Sequence, residues 1–222
     1  VIVPSITFAA TMLSPLQAGA RVVFADVDPN TVNMDPADVE RKITERTKLI
    51  IPVYIGGYPP DMASIMQMAN ERDIVVLADA AHAFGGSYYG KSAGTEAHFA
   101  AYSFHEVKNI TSLGEGGLLV TDLDFGQYFP QARFLGLDPS KQIPNWLYDV
   151  VSLPGKYGPA VPGNHSSTEI QALALLGQLG RLQAIIDQRR ANAEYLTERF
   201  SEVEGIITPP MDSDDIKSTH HL

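Results

Sequence analysis

The sequence predicts an α/β domain built around a mostly parallel β-sheet. Strand-like and helix-like segments alternate through the first two thirds of the chain, which is typical of strand–helix–strand crossovers. The segment 74–78 is apolar without polar alternation, as expected for a parallel strand that is buried on both faces. Apolar residues make up 45% of the 222 residues and charged residues 19%, which is the composition of a globular chain.

The first half of the chain alternates strands with capped helices. A helix is predicted over residues 7–18, which Pro15 should kink or shorten because it lacks a backbone N–H. Asp35 followed by Pro36, and later Asp61, have the residue types that begin helices. Strands are predicted before, between and after these helices, over 1–3, 21–27, 48–54 and 74–78.

The second half begins with a hairpin-like segment and two more strands, over 98–104 and 117–122. Residues 136–167 are predicted to be irregular, since prolines and glycines recur among aromatic residues. Ser166 and Glu169 have the spacing of a capping box, and apolar residues at helical spacing after them predict one or two helices that end near Phe200.

Composition excludes several classes of function. The chain has 16 Lys and Arg against 26 Asp and Glu, a formal charge of −10, which argues against nucleic acid or an anionic membrane as the main partner. Without cysteine it has no disulfide, thiolate zinc site or cysteine nucleophile. The sequence contains neither an apolar run long enough to span a membrane nor a signal-peptide pattern. We therefore expect a soluble, cytoplasmic chain.

Two polar clusters follow predicted strands, at 79–82 and at 103–109. Ligands of open α/β sheets bind at such carboxyl ends of strands. Taken alone, Asp79 could cap a turn and Lys108 could be a solvated lysine. Together, an aspartate, a serine (Ser103) and a lysine at strand ends are what a pyridoxal-phosphate site requires.

The chain resembles the DegT/DnrJ/EryC1/StrS sugar aminotransferases, which belong to the fold-type-I, aspartate aminotransferase-like class. The resemblance implies a three-layer large domain with a mostly parallel sheet over 1–204, followed at 205–222 by the start of a linker or C-terminal small domain. It also implies that the family's upstream phosphate-binding segment and its C-terminal domain are missing from this chain. Matching stretches run in order along the sequence: VIVPSITFAAT, FADVDPNTVNMDP, DAAHAFG, SFHEVKN with TSLGEGGLLVTD, and STEIQALALLGQL.

The resemblance assigns pyridoxal 5'-phosphate as the cofactor. Lys108 is expected to form the Schiff base, and Asp79 to pair with the pyridine nitrogen. His82 is expected near the ring's 3-hydroxyl, and Phe8 to stack on the ring. Two of these residues have simpler explanations, because Phe8 could be a core aromatic and His82 a buried, hydrogen-bonded imidazole.

Two further residues are assigned to the phosphate. Ser103 is expected to donate to it, although it could instead cap a turn. Asn164 is expected to reach the phosphate of a neighbouring subunit, which predicts a homodimer. After Asn164 the family usually has an aromatic residue, an arginine and an apolar residue, whereas this chain has His165, Ser166 and Ser167. The loss of that arginine removes a cation suited to bidentate contact with an anion.

The function implied is transfer of an amino group from glutamate or glutamine to a keto-sugar nucleotide. Amination of a cyclitol ketone and dehydration of a sugar are alternatives on the same scaffold, and a truncated, non-catalytic relative is a third. Dehydrases of the family typically lose the Schiff-base lysine, so Lys108 counts against dehydration. The sequence indicates no role for the adjacent histidines His220 and His221.

Overall fold

The computed structural model describes residues 1–137, 152–154 and 160–222. Six of the described strands form one sheet, in the order β2-β1-β3-β4-β7-β8. The first five run parallel, and β8 pairs antiparallel with β7 at the edge. The α/β class with a mostly parallel sheet is therefore confirmed. The strands are β1 (Ile2–Pro4), β2 (Val23–Ala25), β3 (Leu49–Ile50), β4 (Val75–Asp79), β5 (Ser87–Tyr88), β6 (Lys91–Ser92), β7 (Phe99–Ser103), β8 (Gly117–Val120) and β9 (Ile216–Lys217).

Helices α1 to α3 lie in the crossovers between parallel strands, and α5 and α6 follow the sheet. Their bounds are α1 (Ala10–Gln17), α2 (Pro36–Lys42), α3 (Met62–Glu71), α4 (Phe129–Arg133), α5 (Glu169–Leu179) and α6 (Leu182–Phe200). Within the described ranges, no helix combines the length and the apolar character that crossing a membrane requires.

Two helices begin where the sequence predicts them. The Asp35 carboxylate accepts a hydrogen bond from the Ala37 N–H at 2.9 Å, with Pro36 at the first helical position of α2. The Asp61 carboxylate likewise accepts from the Ser64 N–H at 3.1 Å and caps α3. These bonds satisfy amide donors that would otherwise lack a partner at a helix start. Both predicted caps are confirmed.

Helix α1 is shorter than the predicted 7–18. It begins at Ala10 because the chain bends over residues 5–7 before it, and it ends at Gln17. Pro15 lies inside the helix, two residues before its end. A proline there cannot donate to the carbonyl one turn earlier. The predicted shortening at Pro15 fits this early end.

The predicted capping box at Ser166 and Glu169 is wrong by two residues. The N-cap of α5 is Thr168, whose hydroxyl accepts from the Gln171 N–H at 3.3 Å while the Gln171 side chain accepts from the Thr168 N–H at 2.8 Å. The Ser166 N–H instead donates to the Asn164 side chain at 3.3 Å. The sequence offers the same type of box in two registers, and the local turn at Asn164 selects the later one. Most of the predicted irregular stretch, at 138–151 and 155–159, lies outside the described residues.

The main core lies between the sheet and helices α2 and α3. Apolar side chains of β1, β3, β4 and β7 pack there with those helices, and many are fully buried. Tyr54 is buried in this core and donates its hydroxyl to the Glu96 carboxylate. Other large, fully buried side chains of this core are Ile2, Met34, Ile50, Met62, Ile65 and Val76.

The end of the chain returns to the sheet domain. Strand β9 pairs antiparallel with β5, which also forms the predicted hairpin with β6. Thr219 is buried, and its hydroxyl donates to the carbonyl of His82. Gly57 makes this approach possible, since a Cβ at that position would lie 1.9 Å from the Thr219 Oγ1. The division at 204/205 stays a prediction.

Candidate functional site

The candidate site forms where β4 and β7 end. Asp79 is the last residue of β4 and Ser103 the last of β7, and these neighbouring parallel strands pair Asp79 with Ala101. Both side chains therefore lie at the carboxyl edge of the sheet, where ligands of α/β proteins bind. Lys108 lies on the loop that follows β7, and its N–H donates to the carbonyl of His105 at 2.9 Å.

The loop that carries Lys108 is closed at its base. The Phe104 N–H donates to the Gly116 carbonyl at 2.8 Å, and the Ser112 N–H donates to the Phe104 carbonyl at 3.0 Å. The buried Ser112 hydroxyl bonds to the Glu115 carbonyl at 3.0 Å. At Gly116 a Cβ would lie 2.2 Å from that hydroxyl, so the position requires glycine. These hydrogen bonds therefore hold in place the two ends of the loop that carries Lys108.

Asp79 is held by its backbone and by both of its carboxylate oxygens. Its N–H donates to the Pro52 carbonyl at 2.9 Å. In the side chain, Oδ2 accepts from the Thr11 hydroxyl at 2.6 Å and Oδ1 from the Ala81 N–H at 3.2 Å. Two donors on different oxygens stabilise the ionised carboxylate and fix its plane.

Lys108 is half-buried next to Asp79. Burial lowers the pKa of its amine, and the Asp79 carboxylate opposes that shift. Loss of water around an ammonium disfavours the charged form, and a nearby anion favours it. The net lowered pKa increases the neutral amine population, which is the form that attacks a carbonyl.

His82 contributes a buried polar atom. Its Nδ1 is buried and makes no hydrogen bond to any residue that the structure describes. Burial, then His221 and Lys108, lowers its pKa to about 3. The imidazole is therefore neutral at pH 7. A buried nitrogen without a hydrogen bond lowers the stability of the folded state. Such an atom is expected where a bound ligand supplies the missing hydrogen bond.

His221 was missed by the sequence analysis and lies against His82. The two ring centroids are 4.2 Å apart, with an angle of 32° between the planes. Its Nδ1 lies 2.9 Å from the Asn109 Oδ1. Because the Asn109 amide nitrogen donates to the Thr219 carbonyl at 3.3 Å, Oδ1 is the acceptor and Nδ1 of His221 carries the proton. Burial, Lys108 and Arg189 lower the His221 pKa to about 4, so its Nε2 is an acceptor at neutral pH.

Nothing in the sequence pairs His221 with this edge of the sheet. Asn109 and His221 are 112 residues apart, and no regular spacing relates them. The one available signal was the presence of two adjacent histidines in a turn-rich segment.

The other three predicted site residues, Ser103, Phe8 and Asn164, differ in how close they lie to the candidate site. The Ser103 hydroxyl accepts from the His105 N–H at 3.2 Å and still has its own proton to donate. Phe8 precedes α1, accepts from the Thr11 N–H through its carbonyl, and has a side chain that is 76% exposed. This exposure rules out the alternative that Phe8 is a core aromatic, and its stacking role stays a prediction. Asn164 is exposed and forms a bridge with Phe134, and none of its hydrogen bonds within the described ranges reaches the other five candidates.

These groups fit pyridoxal phosphate. An ionised carboxylate suits a protonated ring nitrogen, a lysine of lowered pKa suits an aldehyde, and the buried His82 Nδ1 can bond to a ring hydroxyl. The Ser103 hydroxyl is a neutral donor for a phosphate oxygen. Within the described part of the chain, no group of three or more His, Asp or Glu side chains is arranged to hold a metal ion.

Comparisons with known proteins agree with this description. The family model described as "DegT/DnrJ/EryC1/StrS aminotransferase family" matches residues 1–222. GDP-perosamine synthase of Caulobacter vibrioides is 35% identical, over 95% of this chain and 53% of that protein. A putative L-glutamine:3-amino-2,3-dideoxy-scyllo-inosose aminotransferase of Streptoalloteichus tenebrarius is also 35% identical, over 96% of this chain and 49% of that protein.

Solved structures give the same result. The PMP form of the putative sugar aminotransferase Spr1654 from Streptococcus pneumoniae superposes with a TM-score of 0.82 at 30% identity. The match covers 99% of this chain and 59% of that one. The chain spans about half the length of the curated relatives that it matches.

Proposed function

Because this chain belongs to the DegT/DnrJ/EryC1/StrS aminotransferase family, we propose that it acts as a pyridoxal-phosphate-dependent aminotransferase. The observation that carries the proposal is that Lys108 and Asp79 lie at the same carboxyl edge of the sheet, where the carboxylate acts on the pKa of the amine. Burial lowers the pKa of the lysine amine, and two donors hold the aspartate carboxylate. An amine and a fixed anion at one edge of the sheet are two groups that this cofactor requires of a protein.

Each residue has a role defined by its chemistry. Lys108 would hold the aldehyde carbon of the cofactor through its amine, and Asp79 would keep a proton on the ring nitrogen. His82 would bond to the ring hydroxyl, Phe8 would stack on the ring, and Ser103 would donate to the phosphate. When bound, the cofactor supplies a protonated ring that accepts the electron pair left on the substrate carbon. With the cofactor bound, the Lys108 amine would be the group that removes and returns a proton at the substrate carbon.

The proposed substrates are an amino-acid donor, glutamate or glutamine, and a keto-sugar nucleotide acceptor. The name of the Caulobacter relative, a GDP-perosamine synthase, supports a nucleotide-linked sugar. The name of the Streptoalloteichus relative supports glutamine as the donor and also favours a second candidate, the ketone of a cyclitol. Lys108 disfavours sugar dehydration, for which the family typically lacks this lysine.

We also propose that the active form is a cytoplasmic homodimer in which a second copy covers α5. Ile170, Leu173 and Leu176 of this helix are exposed by 73%, 71% and 66%, and no α5 residue is buried. Exposed apolar faces of this kind mark interaction sites. Asn164 is exposed on the segment that leads into α5, so a subunit that covers α5 would also meet Asn164. The absence of cysteine is in keeping with the proposed cytoplasmic location.

The test of the proposed function is covalent trapping of the cofactor. The chain is mixed with pyridoxal phosphate, its visible spectrum is recorded, and the complex is reduced with borohydride and mapped by peptide mass spectrometry. We expect the label on Lys108, and its loss in Lys108→Ala but not in Lys91→Ala, since Lys91 is an exposed lysine of β6. A label elsewhere, or a spectrum unchanged by Lys108→Ala, would contradict the proposal.

The substrate assignment needs a separate assay. Borohydride trapping first establishes that the chain binds the cofactor. Amino transfer from glutamate or glutamine is then measured with keto-sugar nucleotides and with cyclitol ketones. Turnover of the nucleotide substrates alone supports the leading candidate. Turnover of the cyclitol ketones alone replaces it with the second.

A further inference from the structure

Thr11 makes a hydrogen bond that its position in α1 does not require. It is 5% exposed, and its hydroxyl donates to the Asp79 Oδ2 at 2.6 Å, across 68 residues of sequence. Serine and threonine in helices commonly bond back to a carbonyl one turn earlier. Ser14 of the same helix does so, donating to the Ala10 carbonyl at 2.9 Å. Thr11 is directed to the carboxylate instead.

The direction of the bonds follows from proton counting. A carboxylate has no proton to give, so the Thr11 proton lies between Thr11 and Asp79. The Thr7 hydroxyl is 2.8 Å from the Thr11 oxygen, and it must therefore be the donor in that pair. The result is a chain of donors that runs from Thr7 through Thr11 to Asp79. Each bond in such a chain polarises and strengthens the next.

The other carboxylate oxygen cannot replace this bond. Oδ1 accepts from the Ala81 N–H at 3.2 Å, which is a longer contact than the 2.6 Å of Thr11. Without Thr11, the carboxylate could rotate about that single backbone bond. The Ala81 N–H therefore needs Thr11 as the second donor to fix the plane of the carboxylate.

We propose that Thr11, supported by Thr7, is a positioning residue for the contact between Asp79 and the ring nitrogen of the cofactor. The inference rests on the proposed function. The Thr11 bond holds the plane of the carboxylate, so it would set the direction in which Asp79 meets that nitrogen. Thr11 does not touch the reacting atoms.

The test compares cofactor binding with and without the ring nitrogen. Dissociation constants are measured for pyridoxal phosphate and for its 1-deaza analogue, in which carbon replaces that nitrogen. Because a hydrogen bond to a charged group is lost, we expect Thr11→Val to weaken pyridoxal phosphate about 10-fold. The deaza analogue should bind Thr11→Val and the unmodified chain equally. Thr11→Ser, which keeps the hydroxyl, should restore affinity to within about twofold.

Two controls separate positioning from general loss of structure. Thr47→Val removes a buried hydroxyl that caps the Thr44 N–H away from the site, and it should leave both dissociation constants unchanged. In an Asp79→Asn background, Thr11→Val should add no further loss for pyridoxal phosphate.

Each other result counts against the inference. Equal affinity of Thr11→Val and the unmodified chain for pyridoxal phosphate overturns it, as does an equal loss for the cofactor and its deaza analogue. If the unmodified chain binds no pyridoxal phosphate, the proposed function fails and the inference fails with it. These outcomes are distinct, so a failure of the Thr11 role leaves the proposed function standing.

Discussion

The imidazole rings of His82 and His221 lie 4.2 Å apart, between centroids, beside Lys108. His82 ends the turn after β4, and His221 reaches it from the segment after β9. Contacts from a distant part of the chain therefore complete one wall of the candidate site. The segment is held by the His221 N–H, which donates to the Gly56 carbonyl at 2.7 Å, and by the buried Thr219.

Removal of His221 should raise the pKa of His82. In His221→Ala, water reaches the His82 ring and a neighbouring imidazole is lost, and both changes reverse causes of its lowered pKa. We expect the value to rise from about 3 toward the ordinary 6.5. The measurement is an NMR titration of the His82 ring carbons. His165→Ala, at an exposed position, is the control, and an unchanged His82 titration in His221→Ala would contradict the expectation.

The same two histidines should make folding weaker in acid. Their pKa values in the folded state, about 3 for His82 and about 4 for His221, lie below the ordinary 6.5 of an unfolded chain. As the pH falls below 6.5, the unfolded state binds protons that the folded state does not, so stability falls until the pH nears 4 for His221 and 3 for His82.

Urea unfolding at a series of pH values measures this loss. In the double variant His82→Gln/His221→Gln, the free energy of unfolding should depend less steeply on pH between 6.5 and 4. The difference in slope should correspond to about two bound protons. His165→Gln should keep the profile of the unmodified chain. Parallel profiles for the double variant and the unmodified chain would show that these imidazoles do not cause the acid sensitivity.

Asp79→Asn should lower the pKa of Lys108 further. The carboxylate opposes the effect of burial on that amine, so its removal leaves burial alone. Competitive labelling with acetic anhydride across a pH series, read by peptide mass spectrometry, reports the amine's titration. Its midpoint should move to lower pH in the variant. A shift to higher pH would contradict the electrostatic contact.

Gly57→Ala should detach the segment 216–222. The new Cβ would lie 1.9 Å from the Thr219 Oγ1, and the backbone at Gly57 has a φ of +93°. Gly90→Ala is a matched control, because its φ is +77° and a Cβ there meets nothing within 4 Å. Gly90→Ala therefore measures the backbone strain alone, about 1 kcal/mol.

Hydrogen exchange distinguishes the two glycine variants. Amides of 216–222 should exchange faster in Gly57→Ala, with a loss of global stability of about 1–3 kcal/mol. In Gly90→Ala they should exchange as in the unmodified chain. Equal protection of the segment in both variants would mean that close packing at Gly57 does not retain it.

Charges on α5 should dissociate the proposed homodimer. Leu173→Glu places a carboxylate in the centre of the exposed apolar face, where burial against a second copy would be costly. Sedimentation equilibrium should show a dimer for the unmodified chain and a monomer for this variant. Ile207→Glu, at an exposed apolar position outside α5, should remain a dimer. A monomeric unmodified chain would overturn the dimer proposal.

Local patterns in the sequence determined much of this structure. Asp35 and Asp61 begin helices because a carboxylate two or three residues before an N–H can satisfy it without help from the rest of the fold. The positions of Asp79 and Ser103 at one edge follow equally from local information. Each ends an apolar strand, and neighbouring parallel strands end at the same edge.

Only the tertiary structure decided which distant groups surround those residues. The Thr11 hydroxyl on Asp79 and the His221 ring on His82 depend on the packing of segments that no periodicity relates. The lowered pKa values of Lys108 and of the two histidines depend on burial, which is a property of the folded chain. Hydrogen-bond rules act over a few residues and can be read from the sequence. Long-range contacts depend on how the whole core packs. The sequence therefore predicted the aspartate and the lysine as candidates, and the tertiary structure decided the burial and the hydrogen bonds around them.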